Sequence, residues 1–326
     1  SRVSAGMLTP FSSERDALPL GRESLARYPE WTEALRARSG VDPGFVGCGL
    51  LRVAWSEAEA ARLRARAAAL AGDGVEWLDA EALPAREPAL APGVLGATWS
   101  PREGYVDPPA LTRACARAAA ALGARIEERA PVLALRREGA RVVGVRSAGG
   151  DWSAGRVVLA TGPWAGAEAA ALGLPWAPPV EPVRGQILTL RPAGRALGAI
   201  AWDERVYLVP RPDGRVLAGA TEERVGFDCR TTEDAVRELA AAAAALAPAL
   251  AGAPAEARAG LRPATPDGLP CVGPAPGIEG LLLAVGHHRH GVLLAPETAD
   301  LIAALVAGRS LPPAARAFAP ERFVRA

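Results

Sequence analysis

The sequence contains no lysine and no asparagine, and it has a single glutamine, Gln186, and a single methionine, Met7. Arginine therefore supplies all 37 of the Lys and Arg positions, against 36 acidic residues, which leaves a formal net charge of +1. A chain with so little net charge has no overall field that favours nucleic acid or an anionic membrane. We predict neither of these partners.

Cysteines and long apolar runs are also scarce. The four cysteines lie far apart, and they form neither a C-x-x-C pair nor a metal-binding spacing: Cys48, Cys115, Cys229 and Cys271. No stretch of about 20 apolar residues lacks charges, and the first residues lack the pattern of a secretion leader. We therefore expect a reduced, cytoplasmic setting with unpaired thiols.

A chain of 326 residues with 50% hydrophobic content predicts a globular protein of about two domains. Helical patterns occupy residues 25–39, 57–70, 108–122 with Asp107 as the cap, and 233–246. β-rich runs lie within residues 131–161 and on both sides of Pro212-Asp213-Gly214, whereas residues 259–280 predict an ordered loop. Because helices and strands alternate in patches, we expect two domains threaded by several crossings.

All three histidines fall within four residues, around an arginine: His287, His288, Arg289 and His290. The apolar run Leu281–Val285 predicts a buried strand before them, and the pattern of residues 292–307 predicts a helix that ends at Gly308. Unsatisfied N–H groups at the start of such a helix can face an anion or an electron-rich cofactor edge. Residues 286–291, here called the histidine turn, are therefore a strong candidate site.

Three histidines could also form a metal site. Adjacent His287 and His288 would point in different directions from a turn, and the sequence has no H-E-x-x-H motif and no paired cysteines. We therefore expect no metal at this position.

Four segments carry the clearest family signal. They are SAGML at 4–8, VVLATGPWAG at 157–166, AGLRPATPDGLPCVG at 259–273 and GHHRHGVLLAP at 286–296. In order and spacing they resemble the D-amino-acid oxidase family of FAD-dependent oxidoreductases, and within it the glycine oxidases of thiamine biosynthesis. The second segment is a general flavoprotein feature, whereas the last two together are more specific. The resemblance implies FAD as the cofactor.

One feature of that family is absent from this sequence: the strand, G-x-G-x-x-G turn and helix that hold the FAD pyrophosphate. The chain begins without methionine where the family's next segment begins, so we expect an N-terminally incomplete chain that keeps the isoalloxazine side of the site. The resemblance implies an α/β fold, in which a Rossmann-like FAD-binding domain is interleaved with an antiparallel-sheet substrate domain. We assign residues 1–40, 105–172 and 258–326 to the first domain, and 41–104 and 173–257 to the second.

The resemblance also implies three substrate-binding residues, Arg262, Arg289 and Tyr207. Arg262 lies in the GLRP motif, and a guanidinium offers two parallel donors to a carboxylate; the alternative is an ordinary surface arginine in a loop. Tyr207 opens the YLVPR run, and its phenol can add a hydrogen bond to the substrate. The alternative is a half-buried strand tyrosine with no role in substrate binding. Arg289 resembles an arginine that lines the pocket, and its alternative is an ion pair with a nearby acid.

A larger set of residues is implied to surround the cofactor. They are Ala5, Gly6, Met7, Val132, Gly162, His287, His288, His290, Gly291, Val292 and Leu293. Small residues such as Ala5 and Gly6 let the backbone approach the flavin, and Met7 can pack on a ring face. Backbone donors of the histidine turn would stabilise the negative charge of the reduced flavin.

The family resemblance implies oxidation of glycine to its imine by hydride transfer to FAD, without a catalytic base, followed by reoxidation with O2 to hydrogen peroxide. The imine would feed thiazole assembly or hydrolyse to glyoxylate and ammonia. Sarcosine, a D-amino acid or proline are alternative substrates. A different alternative is a non-catalytic fragment that does not hold FAD and acts as a scaffold or partner subunit; a homo-oligomer is compatible with either.

Overall fold

Seven α-helices form in the computed structural model, which describes residues 3–12, 20–194 and 196–324. They are α1 Gly21–Ser39, α2 Glu57–Ala69, α3 Leu83–Arg86, α4 Pro108–Ala121, α5 Ala165–Ala171, α6 Glu233–Leu246 and α7 Ala295–Val306. Short 3-10 helices occur at Ala71–Asp73, Gly162–Trp164, Pro248–Leu250, Pro313–Phe318 and Pro320–Phe323. The predicted domain limits include residues 1–2, 13–19, 195 and 325–326, which lie outside the described ranges.

The strands of the described residues form four sheets. They are β1 Met7–Leu8, β2 Leu50–Ala54, β3 Glu76–Asp79, β4 Gly96–Ser100, β5 Gly104–Tyr105, β6 Val132–Glu138, β7 Arg141–Ser147, β8 Gly150–Ser153, β9 Val157–Leu159, β10 Glu181–Leu190, β11 Ile200–Trp202, β12 Tyr207–Pro210, β13 Val216–Gly219, β14 Ala255–Ala264, β15 Cys271–Pro274 and β16 Leu281–Val285.

The largest sheet has eight strands in the order β14-β10-β13-β12-β11-β2-β4-β3, and its pairs are antiparallel except for β11 with β2. Alternate side chains point to opposite faces of a strand, so β10 serves two cores. Leu188 and Leu190 pack with α6 in one apolar cluster, whereas Ile187 packs on the other side with Ala5 and Tyr207. We call this second side the site face.

A second sheet has the order β15-β16-β9, and β9 runs parallel to β16. Leu159, Leu281 and Leu283 from these strands are buried together with Ala165 of α5. Parallel strands present their carboxyl ends at one edge of a sheet, where ligands bind in open α/β folds. The residues after β9 and the histidine turn after β16 therefore share this edge.

The two remaining sheets are smaller. Strands β6, β7 and β8 form a three-stranded antiparallel sheet, and β1 pairs with β5 through Met7 opposite Tyr105. The pairing of β1 with β5 places residues 3–8, here called the N-terminal segment, beside the eight-stranded sheet. Tyr105 and Met7 belong to the same apolar cluster as Ile187 of that sheet.

Local signals account for the helix boundaries at several places. Ser56 and Glu59 form a reciprocal capping box at the start of α2, and Asp107 accepts the N–H of Ala110 at the start of α4. The prediction of a helix at about residues 233–246 is confirmed as α6. The predicted hairpin around Asp213 is also present as the antiparallel pair β12 and β13.

The predicted loop at 259–280 is wrong over residues 259–264, which belong to β14, and over residues 271–274, which form β15. Arg262 lies in the ten-residue strand β14, which pairs with β10 along its length, from Ala264 opposite Glu181 to Ala255 opposite Leu190. β14 is the edge strand of its sheet, and an edge tolerates Pro263 because one side of the strand needs no ladder hydrogen bonds. Proline and glycine therefore marked an edge strand in this segment.

The helix predicted for residues 292–307 begins three residues later, at Ala295. Val292, Leu293 and Leu294 form turns, and the last two are each 1% exposed in a cluster with residues of α1. Pro296 then occupies the first turn of α7, where its missing N–H has no helical partner to lose.

All four cysteines are unpaired: Cys271 is buried, Cys48 and Cys115 are half-buried, and Cys229 is exposed. Burial raises the pKa of the Cys48 thiol to about 11 and that of the Cys271 thiol to about 12. Within the described ranges, none of the helices combines the length and apolar content needed to cross a bilayer.

Candidate active site

Arg262 lies on the site face near the end of β14. Its guanidinium extends over Gly185 of β10, where an added Cβ would lie 2.3 Å from Nη1. Nη1 donates to the carbonyl oxygen of Thr221 at 3.0 Å and to that of Arg184 at 3.4 Å. Among the residues that the structure describes, no carboxylate forms an ion pair with this guanidinium. Backbone carbonyls and a glycine therefore position a cation whose charge no described acid neutralises.

Tyr207 begins β12 and lies opposite Gly219 of β13. Its ring covers that glycine, since an added Cβ would lie 2.6 Å from Oη, and the charge of Arg262 acts on the phenol. Burial raises the pKa of Tyr207, whereas the positive charges of Arg262 and Arg289 lower it. The phenol stays protonated at neutral pH, so it can donate to an anion.

The N-terminal segment crosses the site face beside these two polar groups. Val3 lies against Gly260, two residues before Arg262, because a Cβ built on Gly260 would be 2.9 Å from Cβ of Val3. Ala5 and Met7 join the apolar cluster that contains Tyr207. The predicted flavin-facing segment and the predicted substrate residues are thus adjacent.

Arg211, directly after β12, fixes this segment in place. Its Nη2 donates to the carbonyl oxygen of Ala5 at 2.6 Å and its Nη1 to that of Val106 at 3.1 Å. Gly6 has φ of 73° and accepts the N–H of Val106, and an added Cβ would lie 2.2 Å from the carbonyl oxygen of Val106. Only glycine fits this close approach.

The histidine turn reaches the same place from the other sheet. The backbone N–H of His288 donates to the carbonyl oxygen of Pro263 at 2.7 Å, next to Arg262. His287 points the other way: its Nε2 lies 3.0 Å from Oγ1 of Thr298 on α7, and burial lowers its pKa to about 4. His287 is therefore neutral at neutral pH and holds the turn against α7.

The residues after the turn are fixed by α1. Tyr28 donates its hydroxyl hydrogen to the carbonyl oxygen of Val292, and Ser24 donates to that of Leu293 at 2.5 Å. Gly291 lies close to His287, since an added Cβ would be 3.2 Å from the histidine Cβ. The helix N-terminus expected at residue 292 is replaced by this tethered turn.

Arg289 forms an ion pair with Glu222, and Nε2 of His288 lies 3.6 Å from the same carboxylate. The alternative considered for Arg289, an ion pair with an acid, is therefore observed. The arginine nevertheless stays close enough to Tyr207 for its charge to affect the phenol. Arg262 on β14 and Arg289 in the turn after β16 thus both carry charges that lower the pKa of Tyr207.

The edge shared by β9 and β16 has an unpartnered polar atom and open space beside it. Thr161 follows β9, and its buried Oγ1 has no hydrogen-bond partner among the described atoms. Gly162 has φ of 59° and no atom within 4 Å of an added Cβ, so the space beside it is open. An unsatisfied hydroxyl next to an open glycine at the carboxyl end of parallel strands fits the polar part of a bound dinucleotide.

The structure separates one predicted residue from the others. Val132 begins β6 in the small antiparallel sheet and is 47% exposed. The remaining predicted residues lie on the site face, in the N-terminal segment, after β9 or in and after the histidine turn. No group of three or more His, Cys, Asp and Glu side chains in the described part of the chain is arranged to hold a metal.

Sequence reasoning missed several residues of the site. Arg211 ends the YLVPR run and Thr161 ends VVLAT, so both were visible as polar residues at strand ends. The glycines under Arg262 and Tyr207 and the acid Glu222 gave no such signal, because only the strand register and the loop after β13 bring them to the site.

Comparison with known proteins extends these observations. The chain matches the DAO family, described as FAD dependent oxidoreductase, over residues 1–305. It is 37% identical over 333 residues to the bifunctional protein ThiO/ThiG of Synechocystis sp., covering 99% of this chain and 48% of that protein. It is also 37% identical over 314 residues to a glycine oxidase of Geobacillus kaustophilus, covering 94% and 82% of the two chains.

The fold agrees with the sequence match. The crystal structure of glycine oxidase from Geobacillus kaustophilus superimposes with a TM-score of 0.92 at 35% identity, covering 100% of this chain and 89% of that one. The predicted α/β fold of D-amino-acid oxidase type is confirmed. The chain spans about half of the length of the Synechocystis relative and most of the length of the Geobacillus enzyme. The chain belongs to the DAO family of FAD dependent oxidoreductases, and FAD is its cofactor.

Proposed function

We propose that this protein oxidises glycine to its imine with FAD as cofactor and O2 as electron acceptor. The observation that carries the proposal is Arg262: a positioned guanidinium beside the hydroxyl of Tyr207, with no ion-pairing carboxylate among the described residues. The glycine oxidases among the relatives support the same substrate.

The charge of Arg262 favours a carboxylate ligand. Partial burial of a cation without an acidic partner costs free energy, which a bound anion offsets. A carboxylate matches the two parallel donors of a guanidinium. Nη1 is already oriented by two backbone carbonyls, which reduces the conformational freedom lost when a ligand binds. Tyr207 adds a neutral donor at the same position.

The apolar residues near these groups favour a small substrate. Val3 and Met7 lie against the site face close to Arg262 and Tyr207. An amino acid bound through its carboxylate would place its α-carbon near this apolar segment, and a bulky side chain would meet it. Glycine carries no side chain, and sarcosine, D-alanine and proline are the next candidates by size.

The reaction balances without a catalytic base. Glycine with a neutral amine loses a hydride from its α-carbon and a proton from nitrogen, and O2 takes up both electrons and two protons to give hydrogen peroxide. Bound FAD supplies the two-electron chemistry that connects these half-reactions. Arg262 and Tyr207 orient the substrate, which lowers the entropic part of the activation barrier.

The residues proposed to hold the cofactor are the N-terminal segment, Gly162 and the histidine turn with Val292 and Leu293. Arg211 fixes the first of these and α1 fixes the last, so both are held by neighbouring structure. We assign Val132 to the adenine side, in the smaller sheet. Residues 41–104 and 173–257 are proposed as the substrate domain, and the imine as a supply for the thiazole branch of thiamine biosynthesis.

The test is a substrate panel with the purified protein. Flavin absorbance is measured first, with and without added FAD, and peroxide is then measured with glycine, sarcosine, D-alanine and proline. We expect a yellow protein whose kcat/KM is highest for glycine. Turnover of only bulky D-amino acids would refute the substrate, and a protein that stays colourless and inactive with FAD would refute the proposal.

A further inference from the structure

The charges of three arginines act on Tyr207: Arg262, Arg289 and Arg211. Arg211 is directed at the carbonyl oxygens of Ala5 and Val106, so Arg262 and Arg289 are the two to compare. Arg262 has no ion-pairing carboxylate among the described residues, whereas Arg289 is paired with Glu222. Glu222 is also next in sequence to Thr221, whose carbonyl oxygen holds Nη1 of Arg262. The acid therefore lies between the two arginines along the loop that follows β13.

We propose that Glu222 determines how many carboxylates the substrate can carry. Arg211 is occupied by the carbonyl oxygens of Ala5 and Val106. By neutralising Arg289, Glu222 therefore leaves Arg262 as the arginine available to a carboxylate, so the site selects amines with one carboxylate over amines with two. This inference rests on the proposed function, because it assumes that Arg262 binds the carboxylate of the substrate.

The charge balance supports this role. A second carboxylate approaching Arg289 would meet the negative charge of Glu222 before it reached the guanidinium, and like charges at close range oppose binding. Discrimination by repulsion is a common way to reject a related ligand. The Arg289 and Glu222 side chains are 47% and 44% exposed, so a ligand can approach the pair from solvent.

The backbone holds the acid in position. The N–H of His288 is bonded to the carbonyl oxygen of Pro263, which joins the histidine turn to β14. Glu223, the next residue, is fixed by Arg184 and Gln186. With fixed residues on both sides of the pair, replacing the Glu222 carboxylate changes the charge without releasing the loop.

The critical variant is Glu222→Gln, which removes the charge and keeps a hydrogen-bond acceptor for Arg289. We expect the ratio of kcat/KM for iminodiacetate to that for glycine to rise by about tenfold or more. Iminodiacetate is glycine with a second carboxymethyl arm, so it probes one added carboxylate. Glu204→Gln is the matched control, because Glu204 is an exposed partner of Arg62 away from the site, and its ratio should not change.

Binding without turnover provides an independent measurement. Acetate, malonate and succinate are titrated calorimetrically into the wild-type protein and the variant. We expect Glu222→Gln to tighten dicarboxylate binding relative to acetate by about tenfold, and the double variant Glu222→Gln/Arg289→Gln to lose that gain. Glu222→Ser serves as a second replacement, and a thermal unfolding scan checks that each variant is folded.

The outcomes separate the two proposals. If wild type binds acetate and oxidises glycine but neither Glu222 variant gains affinity or turnover with dicarboxylates, the role of Glu222 is refuted and the proposed function stands. If the double variant keeps the gain, the effect does not act through Arg289 and the inference is also refuted. If wild type neither binds acetate nor oxidises glycine, the proposed function fails and the inference fails with it.

Discussion

Arg262 and Arg289 differ in how each is held, although the charges of both lower the pKa of Tyr207. Arg262 lies on a strand, over a glycine, with two carbonyl acceptors and no ion-pairing acid among the described residues. Arg289 lies on an exposed turn and is paired with Glu222. The comparison indicates that proximity to a site does not make an arginine a ligand. The arginine without an internal counter-charge is the one prepared for an external anion.

The largest expected effect comes from Arg262→Ala. Loss of two charge-assisted hydrogen bonds to the carboxylate should raise the KM for glycine by about 100-fold or more. Steady-state peroxide assays over a wide glycine range measure this change. Arg258→Ala is the control, because Arg258 lies on the same strand but is exposed and paired with Glu256. A KM equal to that of wild type would remove Arg262 from the site.

Gly185→Ala should have the next largest effect. The new Cβ would lie 2.3 Å from Nη1 of Arg262, so the guanidinium must move off the strand. We expect the KM to rise by about tenfold, because a small displacement of an orienting group weakens a positioned complex. Gly72→Ala has no atom within 4 Å of its Cβ and should leave the KM unchanged. Equal effects of the two substitutions would contradict this account.

A smaller change is expected from Arg289→Gln. This substitution leaves the Glu222 charge unpaired near the site, which should raise the KM for glycine about threefold through repulsion of its carboxylate. The same assay with added salt tests the cause, since a charge effect at an exposed pair weakens as ionic strength rises. An effect as large as that of Arg262→Ala would remove the distinction between the two arginines.

His287→Gln should change stability and leave turnover near pH 8 almost unaltered. Burial lowers the pKa of His287 to about 4 from 6.5. As pH falls from 6.5 towards 4, the unfolded chain binds a proton that the folded chain does not, so stability decreases. The unfolding temperature, measured at several pH values, should therefore fall more steeply with decreasing pH for the wild type than for the variant. Parallel declines would show that His287 titrates normally.

Much of the fold could be read from local sequence signals. The Asp107 cap, the limits of α6 and the strand Leu281–Val285 each depend on a few neighbouring residues, and the structure has them where they were predicted. The start of α7 was predicted three residues early, because the apolar pattern of residues 292–294 is used for packing against α1.

The site was less accessible from sequence. The family motifs identified Arg262 and the histidine turn as candidate site residues. The sequence of the motif that contains Arg262 predicts a loop, however, and only the pairing of this segment with β10 shows that it is a strand. The pairing of Arg289 with Glu222 joins residues 67 positions apart, which no local pattern records. Local propensity therefore predicted the elements, whereas the charge balance of the site depends on tertiary contacts.

The unequal exposure of the thiols has a practical consequence. Cys229 is exposed, whereas Cys271 is buried opposite Val285, the residue that leads into the histidine turn. A maleimide dye should therefore label Cys229 at once and reach Cys271 only when β15 separates from β16. Slow labelling of the peptide that contains Cys271, measured by mass spectrometry to separate it from the half-buried Cys48 and Cys115, would report how often this part of the protein opens. Suppression of that labelling by added FAD would measure how strongly the cofactor keeps it closed.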